Sequence, residues 1–432
     1  MKKIFAIIPA LLLGLSSCNY LDIEPVGEVM PESISDYRAI LTSGYVAVPT
    51  HKQLLNVRAD ELNMVGSDNY YMDVARWNDS NADPMTVSYP WIAFYKAIFY
   101  ANTILQDGIH AKPDGSESLD QLVGEAYLLR ALMHFELVNM FSKHYDAATA
   151  ATDKGIPLSL KIDIEQDYKR ENIAAVYESI ESDIEKGTTL LSIDSQSGTN
   201  KYRFSKVSAY AFKARVALYK KEYAKALESA EQVIKMAKLS DLNTTLVSPA
   251  NYLSEESLLA LEYISNQTIG GKTFEVTERV LNAYDAENDL RPALYFSNKI
   301  LKKGQTNAER VSFRTAEAYL IAAEAAIYMD QPEKAIGYLK ALASHRLKAN
   351  AAQAKGAALQ AMTKEELITE IAQERTRELA GEGHRWYDLR RTTQEEISKI
   401  VNNQTVTLSK GDPRYTIRIP KEAIEANPNL QD

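Results

Sequence analysis

Two stretches of the sequence decide the fold: AYAFKARVALY at residues 209–219 and AYLIAAEAAIY at residues 318–328. Two residues further along the chain, each is followed by a second related stretch, EYAKAL at 222–227 and QPEKAI at 331–336. Small residues recur at helical spacing in both copies, and a tyrosine ends the first helix of each. This repeated pattern predicts two helix–turn–helix units of the same design.

These units resemble tetratricopeptide repeats, and helical periodicity extends well beyond them. Apolar residues at helical spacing predict helices within 90–100, 119–143, 171–191, 205–238, 311–348 and 364–380. Long segments without this pattern lie at 23–89, 147–170, 239–308 and 392–432, and short strand-like patterns lie at 257–263 and 415–419. We therefore expect an all-α fold: a tetratricopeptide-like helical-repeat scaffold with long irregular loops and minor β elements.

Composition excludes one class of partner and limits the number of domains. The chain has 432 residues, with 49 basic and 58 acidic side chains and a formal net charge of -9. Nucleic-acid-binding surfaces are basic, so we expect no nucleic-acid partner. The length alone would suit two or three domains. However, no Pro/Gly/Ser-rich linker divides the chain, which favours a single domain over residues 18–432.

The first residues predict export and lipid attachment. Lys2 and Lys3 precede an apolar stretch at 4–15, which is too short to span a bilayer and is typical of a signal peptide. The sequence LSSC at 15–18 resembles a bacterial lipobox, and Cys18 is the only cysteine of the chain. We expect residues 1–17 to be removed and Cys18 to carry the lipid. The alternative is an ordinary signal peptide that ends near a cysteine.

The densest motif lies near the C-terminus, AQERTRELAGEGHRWYDLRR at 372–391. Together with FRTAEAYLIAAEA at 313–325, AYD at 283–285 and the lipobox, it resembles the signature of the SusD/RagB-like outer-membrane lipoproteins. This resemblance runs over nearly all of the mature chain. The chain is short for that family, and its 239–308 region is abbreviated, which leaves the ligand less certain than the fold.

The resemblance implies a function. It implies a lipid-anchored protein of the outer membrane, exposed at the cell surface. Such a protein binds an oligosaccharide and delivers it to a partner SusC-like, TonB-dependent transporter, without catalysis. A peptide or glycopeptide ligand is the alternative within this class. A lipid-anchored hydrolase and a structural lid with no ligand affinity are alternatives from other classes.

A glycan site needs an exposed aromatic ring beside polar side chains, because a sugar ring has apolar faces and hydroxyl edges. The segment SDNYYMDVARWNDSN at 67–81 combines these residue types. The predicted ligand-binding residues are Trp77, Tyr70, Tyr71, Asp73, Arg76 and Asn78. The alternative is that the aromatic rings only attach this loop to the scaffold. Trp91 is expected in the core and Trp386 in a structural hairpin, while Tyr284, Tyr295 and Phe296 are weaker ligand-binding candidates.

Catalytic and metal-binding patterns are weak. The six histidines are scattered, and neither His-Glu-x-x-His nor Gly-x-Ser-x-Gly occurs. Asp285, Glu287 and Asp289 alternate as in a calcium loop, but the glycine and terminal glutamate of that loop are lacking. From the sequence we therefore expect no enzyme activity, no cofactor and no metal site.

Overall fold

The computed structural model describes residues 30–163, 165–265 and 273–431. Cys18 and the predicted signal peptide lie outside the described residues. The described chain is mostly helical, as predicted. Its α-helices are α1 Ile34–Val46, α2 Lys52–Arg58, α3 Asn69–Ala75, α4 Trp91–Gln106, α5 Leu119–Phe141, α6 Ile173–Leu190, α7 Lys206–Tyr219, α8 Tyr223–Met236, α9 Glu278–Leu281, α10 Pro292–Tyr295, α11 Thr315–Tyr328, α12 Pro332–Ser344, α13 Ala349–Gln360, α14 Lys364–Glu378, α15 His384–Arg391 and α16 Lys421–Ala426.

The strands are short and form three small sheets within the described residues. They are β1 Leu62–Met64, β2 Ser257–Leu259, β3 Phe274–Val276, β4 Phe296–Ser297, β5 Ile300–Leu301, β6 Phe313–Arg314, β7 Ile397–Val401 and β8 Gln404–Leu408. The largest sheet has the order β3-β1-β7-β8, so strands from both ends of the chain lie side by side. This sheet joins the N-terminal region to the C-terminal region.

The two helix–turn–helix units are present, as α7–α8 and α11–α12. Helix α8 packs against both α7 and α11, so the two units are adjacent in space. Lys221 and Asp330 occupy the same position in the two turns, and both have a positive φ, 61° and 55°. Ala226 and Ala335, also at matching positions, are fully buried. The repeat in the sequence is therefore a repeat in backbone geometry and in packing.

Helices α5 and α6 form an earlier pair that packs unusually closely. Gly124 on α5 faces Gly187 on α6, and a Cβ atom on Gly124 would lie 2.9 Å from the carbonyl oxygen of Gly187. A side chain at either position would push the helices apart, so glycine is required at this crossing.

Some secondary structure was not expected from the sequence. Helices α1, α2 and α3 lie in the segment 23–89, which was expected to be irregular, and the β7–β8 hairpin lies in 392–432. Ser33 and Asp36 form a capping box at the start of α1. This helix-start signal is not detected by hydrophobic periodicity. Asn402 and Asn403 both have positive φ, the requirement of a two-residue hairpin turn.

The strand expected at 415–419 is not formed. Tyr415, Ile417 and Ile419 are buried and alternate with outward-facing residues, so the pattern of burial was read correctly. However, no strand of the described residues pairs with this segment, and the backbone N–H of Ile417 donates to the carbonyl oxygen of Met140 in α5.

A buried ionic cluster joins the C-terminal signature to the second repeat. Glu378, at the end of α14, is fully buried and contacts three guanidinium groups. These are Arg314 at 2.6 Å, Arg291 at 2.8 Å and Arg346 at 3.0 Å. Burial acts to raise the pKa of Glu378, but Arg346, Arg314 and Arg291 hold it well below its usual value. We call this set the Glu378 cluster.

Further carboxylates surround the three arginines and balance their charge. Arg291 contacts Asp289 at 2.7 Å and Glu374 at 2.5 Å. Arg314 contacts Glu382 at 3.0 Å, which also pairs with Lys303 at 2.7 Å, and Arg346 pairs with Glu256. Burial acts to raise the pKa of Glu374, but Arg291 and Arg377 lower it to about 2. Glu374 and Glu378 are therefore ionised at physiological pH.

We expect Glu378→Gln to lower the free energy of unfolding by about 3–5 kcal/mol, because three buried guanidinium groups lose their shared countercharge. Urea unfolding followed by circular dichroism measures this. Glu365→Gln, at an exposed position in the first turn of the same helix, is the matched control and should change stability by about 1 kcal/mol or less. Equal stability of the two variants would contradict the assignment.

Candidate functional site

Helix α3 and the loop after it carry the predicted ligand-binding residues. The Asp68 side chain caps α3 by accepting a hydrogen bond from the backbone N–H of Tyr70 at 2.9 Å. The helix ends before Trp77, which has a φ of 56°. A positive φ is unusual for a bulky residue, and here it reverses the chain so that residues after Trp77 fold back over α3.

Trp77 is a core residue, and the expectation that it stacks on a sugar ring is wrong for this structure. Its side chain is only 1% exposed. The indole N–H donates to the carbonyl oxygen of Arg58 at 2.9 Å, and Lys399 Nζ lies 4.5 Å from the centre of the ring. Both the edge and the face of the indole ring therefore have partners from the scaffold. The alternative noted for this loop, attachment to the scaffold, holds for Trp77.

The two adjacent tyrosines have different environments. Tyr71 is buried, and its hydroxyl accepts a hydrogen bond from Gln53 at 2.6 Å while its ring packs edge-on against Phe274. Tyr70 is 45% exposed and makes an edge-to-face contact with Tyr71, with ring centres 4.9 Å apart. Of the three predicted aromatic residues, Tyr70 alone offers a surface to a ligand.

Asp73 organises the loop. Its carboxylate accepts hydrogen bonds from the backbone N–H of Asp83 at 2.7 Å, from Asn78 at 2.9 Å and from the Thr86 hydroxyl at 3.1 Å. Partial burial acts to raise the pKa of Asp73, but these hydrogen bonds lower it. Asp73 and the amide N–H of Asn78 therefore shape the loop and are not freely available to a ligand.

A groove of about 750 Å³ lies between this loop and the C-terminal segment 413–419. Its lining includes Arg76, Asn78 and Asn81 from the loop, and Arg414 and Arg418 from the opposite wall. The three predicted ligand-binding residues with polar side chains therefore line one concave surface: Asp73, Arg76 and Asn78. Tyr70, the second residue of α3, is not part of the groove lining.

Two arginines in the groove are available for binding. The side chain of Arg76 has one long hydrogen bond, 3.4 Å, to Gln404. Arg418 is exposed, and within the described residues no acceptor holds its guanidinium group. Arg414, in contrast, is paired with Asp412 at 2.8 Å. The groove therefore offers two guanidinium groups with spare N–H donors, which can donate hydrogen bonds to hydroxyl or carboxylate oxygens.

Arg58 holds the two walls of the groove together. It is fully buried and makes a bidentate contact with Asp79 in the loop, with both N–O distances 2.8 Å. The same guanidinium group donates to the carbonyl oxygen of Arg414 at 2.7 Å and lies 4.9 Å from the ring centre of Trp386. The groove is thus positioned by a buried charge rather than by contacts between exposed loops.

Sequence reasoning missed the second wall. Arg414, Thr416 and Arg418 alternate with buried Tyr415, Ile417 and Ile419. The period-two pattern was visible in the sequence, and it predicts that the polar residues face outward. Their meeting with the α3 loop could not be predicted, because it depends on a contact between the two ends of the chain.

The remaining aromatic candidates are buried. Tyr284, Tyr295 and Phe296 all lie in the core, so they do not provide a binding surface in this structure. Trp91 and Trp386 are buried as expected. Trp386 stacks on Tyr415 with ring centres 5.0 Å apart, which attaches the C-terminal segment to the signature helix α15.

Two other grooves have a different character. One of about 720 Å³ lies among α6, α7 and α8, and its lining includes the ion-paired side chains Glu181, Glu185, Lys213 and Lys225. One of about 470 Å³ lies between α12, α13 and α14 and borders the Glu378 cluster. The groove beside α3 differs because its lining includes two guanidinium groups with spare N–H donors, those of Arg76 and Arg418.

Comparison with known proteins identifies the family. A SusD-like family model described as starch-binding and associating with the outer membrane matches residues 19–218, and the SusD family model matches residues 261–432. The chain belongs to the SusD/RagB family. The resemblance seen in the C-terminal signature is confirmed.

A curated relative is consistent with the family assignment. SusD-like protein P38 of Formosa agariphila is 28% identical over 225 residues, which cover 48% of this chain and 40% of P38. The matched region therefore spans about two fifths of the length of that relative.

Solved SusD structures share the fold. A SusD superfamily protein of Bacteroides fragilis has a TM-score of 0.77 at 22% identity, with 93% of this chain and 99% of that chain covered. A putative sugar-binding protein of Bacteroides vulgatus has a TM-score of 0.76 at 23% identity, covering 93% and 98%. A laminarin-binding SusD-like protein has a TM-score of 0.61 at 21% identity, covering 84% and 92%.

The lengths and apolar character of the helices were compared with those of a membrane-spanning helix. Among the helices of residues 30–163, 165–265 and 273–431, none combines the length and the apolar character needed to cross a bilayer.

We expect Trp77→Ala to lower the free energy of unfolding by about 3–5 kcal/mol, because it removes a buried indole and leaves a cavity. Tyr70→Ala is the matched control and should cost about 1 kcal/mol or less, since the ring of Tyr70 is half exposed. Thermal and urea unfolding of both variants measure the difference. A Trp77→Ala variant as stable as Tyr70→Ala would mean that the indole is not a core element.

Proposed function

We propose that this chain is a cell-surface lipoprotein that binds an oligosaccharide in the groove beside α3 and delivers it to a partner TonB-dependent outer-membrane transporter. The observation that carries the binding proposal is that Arg76 and Arg418, on facing walls of one groove, have guanidinium N–H groups without an acceptor in the described part of the chain. Family membership supports the same class of ligand, since one structural relative is named as laminarin-binding.

The chemistry of the groove suits a carbohydrate. Guanidinium and amide groups donate hydrogen bonds to sugar hydroxyls, and both walls supply such groups. Tyr70 offers an apolar ring that can cover one face of a sugar. Because Arg58 and Asp73 already fix the loop, binding would order few additional side chains, which reduces the entropic cost.

The groove favours binding over hydrolysis. Glycoside hydrolysis uses two carboxyl groups, one of which is a proton donor with a raised pKa. The acidic side chains lining this groove are Asp73 and Asp79. Asp73 accepts hydrogen bonds that lower its pKa, and Asp79 is committed to the bidentate contact with Arg58. Neither carboxyl group is arranged as a proton donor.

A peptide or glycopeptide is the alternative ligand. Free guanidinium groups also bind carboxylates, which a peptide supplies through its acidic side chains or its C-terminus. The exposed ring of Tyr70 favours a ligand with an apolar face, which sugars and peptides both have. A structural lid without ligand affinity is the remaining alternative, and a binding experiment separates these possibilities.

We expect the protein to bind at least one oligosaccharide from a panel of laminarin, starch and other plant and algal fragments in isothermal titration calorimetry. Arg76→Ala combined with Arg418→Ala should weaken that binding by about tenfold or more, because hydrogen bonds from charged groups contribute about 1.5–3 kcal/mol each. Lys238→Ala, an exposed cation outside the groove, is the matched control and should leave the affinity unchanged.

The other outcomes of this binding experiment distinguish the alternatives. Unchanged affinity in the double variant would place the glycan site outside this groove. Binding of acidic peptides without binding of any glycan would favour the peptide alternative. Binding of neither class would favour the structural lid.

The anchor and the partner require a separate test. We expect the wild-type chain, expressed in its own host and extracted with mild detergent, to co-purify with a large outer-membrane β-barrel. Cys18→Ser should abolish incorporation of a labelled fatty acid, because the proposed lipid is attached through that thiol. A wild-type chain found alone in the inner membrane would contradict the proposal, as would a Cys18→Ser chain that still incorporated the label.

A further inference from the structure

A second cluster of polar side chains lies in the core, away from the groove. His51 at the start of α2, Glu136 on α5 and Glu262 after β2 are all buried. His51 Nε2 lies 3.0 Å from Glu136 Oε2 and 3.6 Å from Glu262 Oε1. One nitrogen and two oxygen atoms of the three side chains lie within 4.8 Å of one another. These residues are far apart in the sequence, so no spacing pattern could reveal the cluster.

The orientation of the imidazole ring defines what the cluster can hold. His51 Nδ1 lies 3.3 Å from the carbonyl oxygen of Pro49, which fits an Nδ1–H donor. In that tautomer the lone pair of Nε2 points at two carboxylate oxygens. Three electron-rich atoms facing one another are stable only with a positive species between them. A histidine that donates from its second nitrogen to a backbone carbonyl is the usual arrangement of a metal ligand.

Glu262 gives an independent indication of a missing partner. Its side chain is 0% exposed, and neither of its carboxylate oxygens has a hydrogen-bond donor in the described part of the chain. Lys52 Nζ is 3.7 Å away and donates instead to the carbonyl oxygen of Val311 at 2.5 Å. A buried carboxylate without a close partner costs several kcal/mol. Glu262 therefore requires a close electropositive group.

The local charge balance leaves room for a cation. Glu136 and Glu262 carry two negative charges, and Lys52 supplies one positive charge beside them. The nearby Arg215 is paired with Glu317 at 2.6 Å and so is already neutralised. With neutral His51 the cluster has a net charge of about −1 by this count. A buried unit with excess negative charge attracts a cation more strongly than an exposed one does.

We propose that His51, Glu136 and Glu262 bind a divalent cation, and that Zn²⁺ fits the donor set best. Zn²⁺ takes histidine nitrogen and carboxylate oxygen at about 2.0–2.2 Å, which places ligands of a tetrahedral site about 3.3–3.5 Å apart. The two distances from His51 Nε2, 3.0 and 3.6 Å, bracket that value.

A second side chain and a small void lie beside the proposed ligands. The void has a volume of about 10 Å³ and is lined in part by His51 and Glu136, while Glu262 is not among its lining residues. The Tyr387 hydroxyl donates to Glu136 Oε2 at 2.9 Å and orients that carboxylate. The ion joins α2, α5 and the segment after β2, so its role is structural. The proposal does not depend on the glycan-binding function.

A proton is the competing occupant. Burial acts to lower the pKa of His51, but Glu136 and Glu262 raise it overall. A His51 with its proton on Nε2, either as the other neutral tautomer or as imidazolium, would donate to Glu136 at 3.0 Å without a metal. The two occupants are distinguished by metal content.

The test measures bound metal directly. The protein is unfolded in urea with a chelator, refolded with Zn²⁺, Mn²⁺ or Ca²⁺, and freed of loose ions by gel filtration. We expect about one Zn²⁺ per chain by mass spectrometry of the metal, together with a higher Tm than in the chelator-treated protein. His51→Gln and Glu262→Gln should each lose both effects.

His345→Gln is the matched control, because His345 lies outside the cluster and is also partly buried. It should retain the ion and the Tm increase. A wild-type chain that binds no stoichiometric metal would overturn the proposal in favour of a protonated His51. Metal that persists in both His51→Gln and Glu262→Gln would also overturn it, since the ion would then lie elsewhere. Should either variant fail to refold, X-ray absorption of the zinc-loaded wild-type chain decides: one histidine nitrogen with oxygen ligands supports the proposal, and any other ligand set overturns it.

Discussion

The carboxylate of Glu378 is the contact on which the rest of the structure depends. It is buried among Arg291, Arg314 and Arg346, which come from three segments that are distant in the sequence. Each arginine has a further carboxylate partner, but within the described residues Glu378 is the carboxylate that contacts all three, and it reaches them only when α14 is in place. The second helical repeat, the irregular region around residue 290 and the C-terminal signature must therefore assemble together.

Helix α15, the second helix of the C-terminal signature, positions the groove. Arg385 on α15 makes a bidentate contact with Asp60, and Trp386 stacks on Tyr415. These contacts fix the segment after α2 and the C-terminal segment 413–419 against one helix. Arg58, between them, then holds the loop through Asp79. The signature thus has a physical role in this chain: it places the two walls of the groove at a defined separation.

The sequence predicted the scaffold well and the site only in part. The repeats were predictable because alanines at the helix contacts and the residues of the turn recur at matching positions in both units. The matching turn residues Lys221 and Asp330 both have a positive φ. The outward or inward direction of Trp77 was not predictable. It depends on a positive φ and on contacts with Arg58 and Lys399, which the chain brings from elsewhere. The loop after α3 does contribute to the groove, because Arg76 and Asn78 are among its lining residues, and their contact with a ligand stays a prediction.

The buried His51 cluster marks the limit of what sequence spacing can reveal. Its three residues come from α2, α5 and the segment after β2, and each belongs locally to an ordinary pattern. Only the folded chain shows that a histidine and two carboxylates converge without enough donors. The same holds for Arg418, whose freedom to bind is visible only once its neighbours are known.

Hydrogen–deuterium exchange with and without a bound oligosaccharide tests the central claim most directly, namely that a rigid ionic scaffold presents a separate binding groove. The account predicts slower exchange confined to residues 70–86 and 413–419 on binding, with α14 equally protected in both states. Protection that appears instead among α6, α7 and α8, or that leaves 70–86 and 413–419 unchanged, would contradict it.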